Sequence, residues 1–382
     1  MALLGSWTAQ RWLLENGGRS LLRAGAQLAL CCSLQAKRYL LTDDILKLHE
    51  FQKKKLTTLY QIYGKKDLYF QTIEEKLQRN GIILRDELKT LLHLCSTQPD
   101  VEFAKRVIYR YHEENKNVMF GEFRFGPVFL RLCYELDLED IAVELLKDKT
   151  LHGFFSDCTS FNILMDMLFT KGQYERAVEV LVQMRNQRVR FSKETYILAF
   201  AICYKLNNPN SCKICTTLLE EIEMKGDHLP KQAACFAVAF ALKQEEFVKA
   251  RKLYSQIMNT DSKLCNNLLL LIKVHTSTVE DVLQFLEAAA QAMGSKFVKK
   301  TEFAEELLAA TGQKLKSHTE LYTRFNIVYH RLKDAGQISG LTLDQMLCYT
   351  PPELTRSNLH LIRNRKTSRR TFRSLQSTLL VE

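Results

Sequence analysis

The spacing closest to a reactive or metal-holding site is Cys212-x-x-Cys215, which suits two thiolates on one metal ion or a dithiol that cycles through a disulfide. A zinc site needs four ligands, and completing this one with His228 or Cys235 demands irregular spacing with no second Cys pair. The competing reading is a pair of small side chains in a helical core, with Cys212 in a slot that alanine fills elsewhere. No Gly-rich phosphate loop, His-Glu-x-x-His or Gly-x-Ser-x-Gly occurs, and the nine histidines are scattered without ligand spacing. Nothing after residue 297 offers paired acids or a Cys/His zinc signature. The expectation is a chain that binds rather than catalyses, with no metal, no cofactor and no small-molecule substrate.

Binding chemistry is concentrated at the two ends. The net charge is +11, yet Arg11, Arg19, Arg23, Lys37 and Arg38 face only Glu15 in residues 1–41. Arg356, Arg363, Arg365, Lys366, Arg369, Arg370 and Arg373 meet no acid in residues 355–381, so the body between is close to neutral. Arg363, Arg365, Lys366, Arg369 and Arg370 are candidate contacts to RNA phosphates; the bland alternative is a tail that aids solubility. Lys53-Lys54-Lys55 offers the same choice between phosphate contact and a solvated helix face. A near-neutral body binds nucleic acid only if folding sorts its charge onto one side.

The elements that would position such groups are read from Cys158 to Ser192. Phe161, Leu164, Met165 and Leu168 share one helical face, and Tyr174, Ala177, Val178, Leu181 and Met184 share another. Lys171-Gly172-Gln173 lies between them, and glycine best takes the left-handed backbone that ends a helix. The stretch is therefore a helical hairpin. One hairpin cannot bury its own apolar face, so stacked copies are required. Ser160-Phe161 returns as Thr195-Tyr196 after 35 residues, and Ala177 is preceded by Ala142 at the same interval. Ala104 and Ala250 take the same slot, where closely crossing helices leave no room for a larger side chain. Cys95, Cys133 and Cys203 recur at the place of Leu168 and read as small core residues in a reducing compartment.

The order Ser-Phe-Asn, Leu, Lys-Gly, Glu-x-Ala and Met-Arg over 35 residues resembles the pentatricopeptide repeat. The related tetratricopeptide repeat has a period of 34 and an early Trp signature that is missing here. The resemblance implies an all-α fold, a right-handed superhelical array of antiparallel helical hairpins (an α-α solenoid), whose concave surface binds single-stranded RNA. It also implies base reading by the residue after the first aromatic and the last residue of the unit, here Asn162 and Ser192. Asn162 offers donor and acceptor to a base edge, and Ser192 a hydroxyl. Both have structural alternatives: Asn162 bonded to neighbouring backbone, Ser192 capping the helix that opens at Lys193. The matching pairs Pro127 with Asp157, and Ile197 with a partner near Leu229, are poor readers, so a full base code is not expected.

Six units are assigned at about 85–122, 123–157, 158–192, 193–230, 231–262 and 263–297. Residues 1–38 have the composition of a mitochondrial presequence, with processing expected after Arg38 and residence in the matrix. Leu28 to Leu34 is too short to span a membrane. Residues 39–84 form an N-terminal helical cap opening at Thr42-Asp43-Asp44, 298–350 a C-terminal helical cap, and 351–382 a basic tail. The partners expected are mitochondrial RNA and a separate processing nuclease; the alternatives are a scaffold on the mitochondrial ribosome and a peptide-binding adaptor.

Overall fold

The computed structural model describes residues 40–114, 123–291, 301–316 and 318–349. The presequence and the basic tail, with Arg363, Arg365, Lys366, Arg369 and Arg370, lie outside the described residues. Two helices, α1 (Asp43–Leu46) and α2 (Leu48–Gln61), are followed by α3 (Lys66–Gln78). Hairpins then succeed one another: α4 (Arg85–Leu94) with α5 (Gln98–Glu114), α6 (Gly126–Glu135) with α7 (Glu139–Lys147), and α8 (Cys158–Thr170) with α9 (Tyr174–Asn186). They continue as α10 (Lys193–Leu206) with α11 (Pro209–Lys225), α12 (Lys231–Lys243) with α13 (Phe247–Ser255), and α14 (Lys263–Thr276) with α15 (Val279–Gln291). Past these come α16 (Glu305–Leu315), α17 (Thr319–Asp334) and the short α18 (Leu343–Leu347). The two-residue strands β1 (Phe303–Ala304) and β2 (Ile338–Ser339) pair in parallel. The fold is an all-α helical-repeat solenoid.

The first helices form one layer and the second helices another. Each first helix packs on the next, from α4 through α6, α8, α10, α12 and α14 to α16. Because α8 is flanked by α6, α7, α9 and α10, every residue from Ser160 to Phe169 is buried. In α9 only Ala177, Val180, Leu181 and Met184 are buried, the single apolar stripe of a helix with one face in water. Ala104, Ala142, Ala177 and Ala250 are all fully buried, as their slot requires. Ion pairs link successive second helices: Lys105 to Glu144 at 2.8 Å, Lys147 to Glu179, Arg185 to Glu221, and Arg324 to Glu287 at 2.8 Å. Exposed pairs of this kind contribute about 0–1 kcal/mol each, so they set the register of the outer layer while the apolar first-helix layer supplies the stability.

Gly172 sits in the turn between α8 and α9 with φ +76°, where its N–H bonds to Phe169 O and that of Gln173 to Leu168 O at 2.9 Å. The same left-handed turn recurs at Asp137, Asn207 and Glu245. Glycine marks it most plainly in the sequence, and Asn207 is marked by Pro209, which opens the next helix. The N-terminal cap differs from expectation in one respect. The helix foreseen from Thr42 onward breaks at Lys47, φ +56°, because Arg131 Nε donates to Leu46 O at 2.5 Å and diverts that carbonyl from helical bonding. Lys54 pairs with Glu50 and Lys55 with Glu135, so two cations of the Lys53–Lys55 run are already neutralised.

Candidate nucleic-acid interface

Thirty residues apart in sequence, Asn162 and Ser192 meet: Asn162 Nδ2 donates to Ser192 Oγ at 3.0 Å, and Thr195 Oγ1 donates to Asn162 Oδ1 at 2.8 Å. Asn162 is 3% exposed and Ser192 half-buried. Ser192 also caps α10, accepting from Thr195 N at 3.3 Å. The two residues the resemblance singled out are thus one hydrogen-bonded unit, and the capping reading of Ser192 holds alongside it. These bonds use one of the two amide hydrogens of Asn162 and one of its two carbonyl lone pairs. Ser192→Ala is expected to lower stability by about 1 kcal/mol through loss of the cap, measured by chemical denaturation.

The last residue of a unit has the same capping duty elsewhere. Asp157 caps α8 through Ser160 N at 3.0 Å, and Ser262 caps α14 through Cys265 N at 3.2 Å. At the start of α12 the cap position is Pro230, with no side-chain bond, so the partner sought near Leu229 is not a polar one. The fifth residues of the units are Lys89, Pro127, Asn162, Ile197, Cys235 and Asn267. Asn267 escaped the sequence reading although the unit boundary at Lys263 pointed to it. It is fully buried, donates to Glu302 O at 3.0 Å and accepts from Ala304 N at 2.8 Å.

One turn beyond Asn162 on α8 lies Asp166, fully buried. Its Oδ1 accepts from Leu40 N at 3.2 Å and Leu41 N at 3.1 Å, and its Oδ2 from Tyr134 Oη at 3.0 Å. Burial pushes this carboxyl up to about 6, against the pull of Tyr134, Leu41 and Leu40. With Leu40 and Leu41 seated here and α2 packed on α4 and α6, the N-terminal segment lies on the first-helix layer.

A family described as Mitochondrial 28S ribosomal protein S27 matches residues 18–335. The chain is 85% identical to pentatricopeptide repeat-containing protein 2, mitochondrial, of Xenopus laevis over the full length of both. It is 53% identical to the protein of that name from Homo sapiens, covering 92% of this chain and 90% of that one. The Danio rerio protein of that name is 44% identical, covering 99% of each. The chain belongs to the family of pentatricopeptide repeat-containing protein 2, mitochondrial. In this pentatricopeptide repeat chain most of the cysteines among the described residues are buried and serve packing. Cys95, Cys133 and Cys203 are fully buried in the first-helix layer, and burial pushes the thiols of Cys95 and Cys203 up to about 12. Cys212 is half-buried and Cys215, one turn on, is buried with its thiol pushed up by desolvation. Among the described residues no group of three His, Cys, Asp or Glu side chains gathers to hold a metal, and no helix is long and apolar enough to cross a membrane.

Proposed function

We propose that the chain is a non-catalytic RNA-binding protein of the mitochondrial matrix that holds a single-stranded stretch of organellar transcript for maturation or stability, in support of respiratory-chain expression. The observation that carries this reading is the Asn162–Ser192 contact at 3.0 Å, which unites the fifth and last residues of one unit on the first-helix layer. Single-stranded bases can be splayed onto side chains in a way duplex bases cannot; the half-buried Ser192 hydroxyl is the more accessible member of the pair, and Asn162, 3% exposed, holds it in place. With Pro127, Ile197 and Cys235 in the other slots, sequence reading is confined to few bases, and the rest of the affinity falls to phosphate contacts. The basic tail residues Arg363, Arg365, Lys366, Arg369 and Arg370 supply those contacts and make binding weaken with salt. The RNA is kept unfolded and presented to a separate nuclease.

Crosslinking in mitochondria followed by RNA sequencing tests the reading; absence of any enriched transcript removes it. On the recovered RNA, Asn162→Ala is expected to weaken binding by about 1 kcal/mol, measured by fluorescence anisotropy on folded protein. A second reading, a scaffold on the mitochondrial ribosome, is favoured by the ribosomal family match over residues 18–335. Co-sedimentation with one ribosomal subunit at salt that strips free RNA binders would support it.

A further inference from the structure

The segment around α18 returns to the first-helix layer and bridges three successive first helices. Asp344 Oδ1 and Oδ2 accept from Lys205 Nζ on α10 at 2.7 and 2.5 Å. Leu347 O accepts from Gln232 Nε2 on α12 at 3.3 Å, and Asn267 Nδ2 on α14 lies 3.6 Å from Met346 Sδ. Met346, Leu347 and Cys348 are buried against these helices, while Leu341 and Tyr349 on either side are exposed. Asn267 is the fifth residue of its unit, and Gln232 lies about one turn before Cys235, the fifth of the preceding one. Lys205 stands two turns past Ile197, the fifth residue of the unit before that. The strap therefore covers part of the first-helix layer in the three units that follow the Asn162 unit, where the phosphates of an RNA extending from that unit would run.

From this geometry we infer that residues 341–348 are an autoinhibitory strap that competes with single-stranded RNA for the face of α10, α12 and α14. The inference rests on the RNA-holding function proposed above. The competition is chemical as well as steric. Asp344 occupies the one ammonium of Lys205 that would meet a phosphate, and it sets a carboxylate where the phosphates would run. Leu347 O takes the amide hydrogen of Gln232 that would otherwise be offered to a base. The strap is built to leave as a unit. Its turn is closed on itself by reciprocal bonds, Gln345 N to Thr342 Oγ1 and Thr342 N to Gln345 Oε1, both 3.2 Å, which need nothing from the layer beneath. Its hold includes the buried Met346, Leu347 and Cys348, the Lys205–Asp344 ion pair, the Gln232–Leu347 bond and a bond from Leu343 N to Glu306 Oε1 at 2.5 Å, a set that a ligand making contacts of similar number displaces. The closed fraction lowers the apparent affinity in proportion.

The test is fluorescence anisotropy of the full chain with a labelled, mixed-sequence single-stranded RNA 20-mer. Leu347→Ala loosens the strap without changing charge and is expected to bind about tenfold more tightly than wild type. Asp344→Asn, at the rim and outside the core, is expected to bind more tightly too, which covers the case of Leu347→Ala failing to fold. On the wild type, RNA is expected to speed amide hydrogen exchange across residues 343–348. Wild-type binding with unchanged affinity in both variants and unchanged exchange in the strap overturns the inference and leaves the RNA-holding function standing. If neither this probe nor RNA recovered by crosslinking binds any form of the protein, the function and the strap's proposed role fall together.

Discussion

Asp166→Ala is expected to destabilise the chain by about 3 kcal/mol at neutral pH and to release residues 40–46 from the first-helix layer. The carboxylate is fully buried and takes the N–H groups of Leu40 and Leu41 together with the Tyr134 hydroxyl. Alanine removes that acceptor from all three at once, and a buried donor stripped of its acceptor costs about 1–3 kcal/mol. Chemical denaturation measures the loss, and hydrogen exchange over residues 40–46 locates it. Asp166→Asn is expected to stay within about 1 kcal/mol of wild type, since its oxygen still accepts from both amides and its nitrogen can donate to Tyr134 Oη. The pair of variants also separates charge from hydrogen bonding. The carboxyl is raised from its ordinary 3.8 to about 6, so between these values the folded chain keeps a proton that the unfolded chain has released. Stability from this group is full below about pH 4 and declines as pH rises through 6. Asp166→Asn is expected to abolish that slope.

Phe161→Ala is expected to cost about 3–5 kcal/mol, the lost transfer energy of the ring plus the cavity it leaves. Phe161 is fully buried in α8, where helices on all sides hold the cavity open. Tyr196, its counterpart 35 residues later, is half-buried with its ring 5.7 Å from that of Phe191, so Tyr196→Ala is expected to cost distinctly less. Equal losses at the two sites in urea denaturation would contradict the position of α8 at the centre of the layer.

The sequence by itself determined the hairpin and its repetition. Apolar residues at helical spacing specify which face of a helix must be covered, and the alanines at 104, 142, 177 and 250 specify where helices cross closely. Gly172 announced its turn, because a left-handed backbone favours glycine. Asp137 and Asn207 adopt the same turn with side chains that tolerate a left-handed backbone, whereas Glu245 adopts it because the packing of the flanking helices outweighs the local backbone preference. That Asn162 and Ser192 bond to each other was decided by the packing of α8 on α10. Tertiary structure alone decided what covers the first-helix layer. Nothing near Asp166 names Leu40 and Leu41, 126 and 125 residues away, and nothing near Lys205 names Asp344, 139 residues on. Periodicity reports that a face needs a partner; which distant segment becomes that partner depends on shape, charge and hydrogen bonds that exist only once the layer has formed.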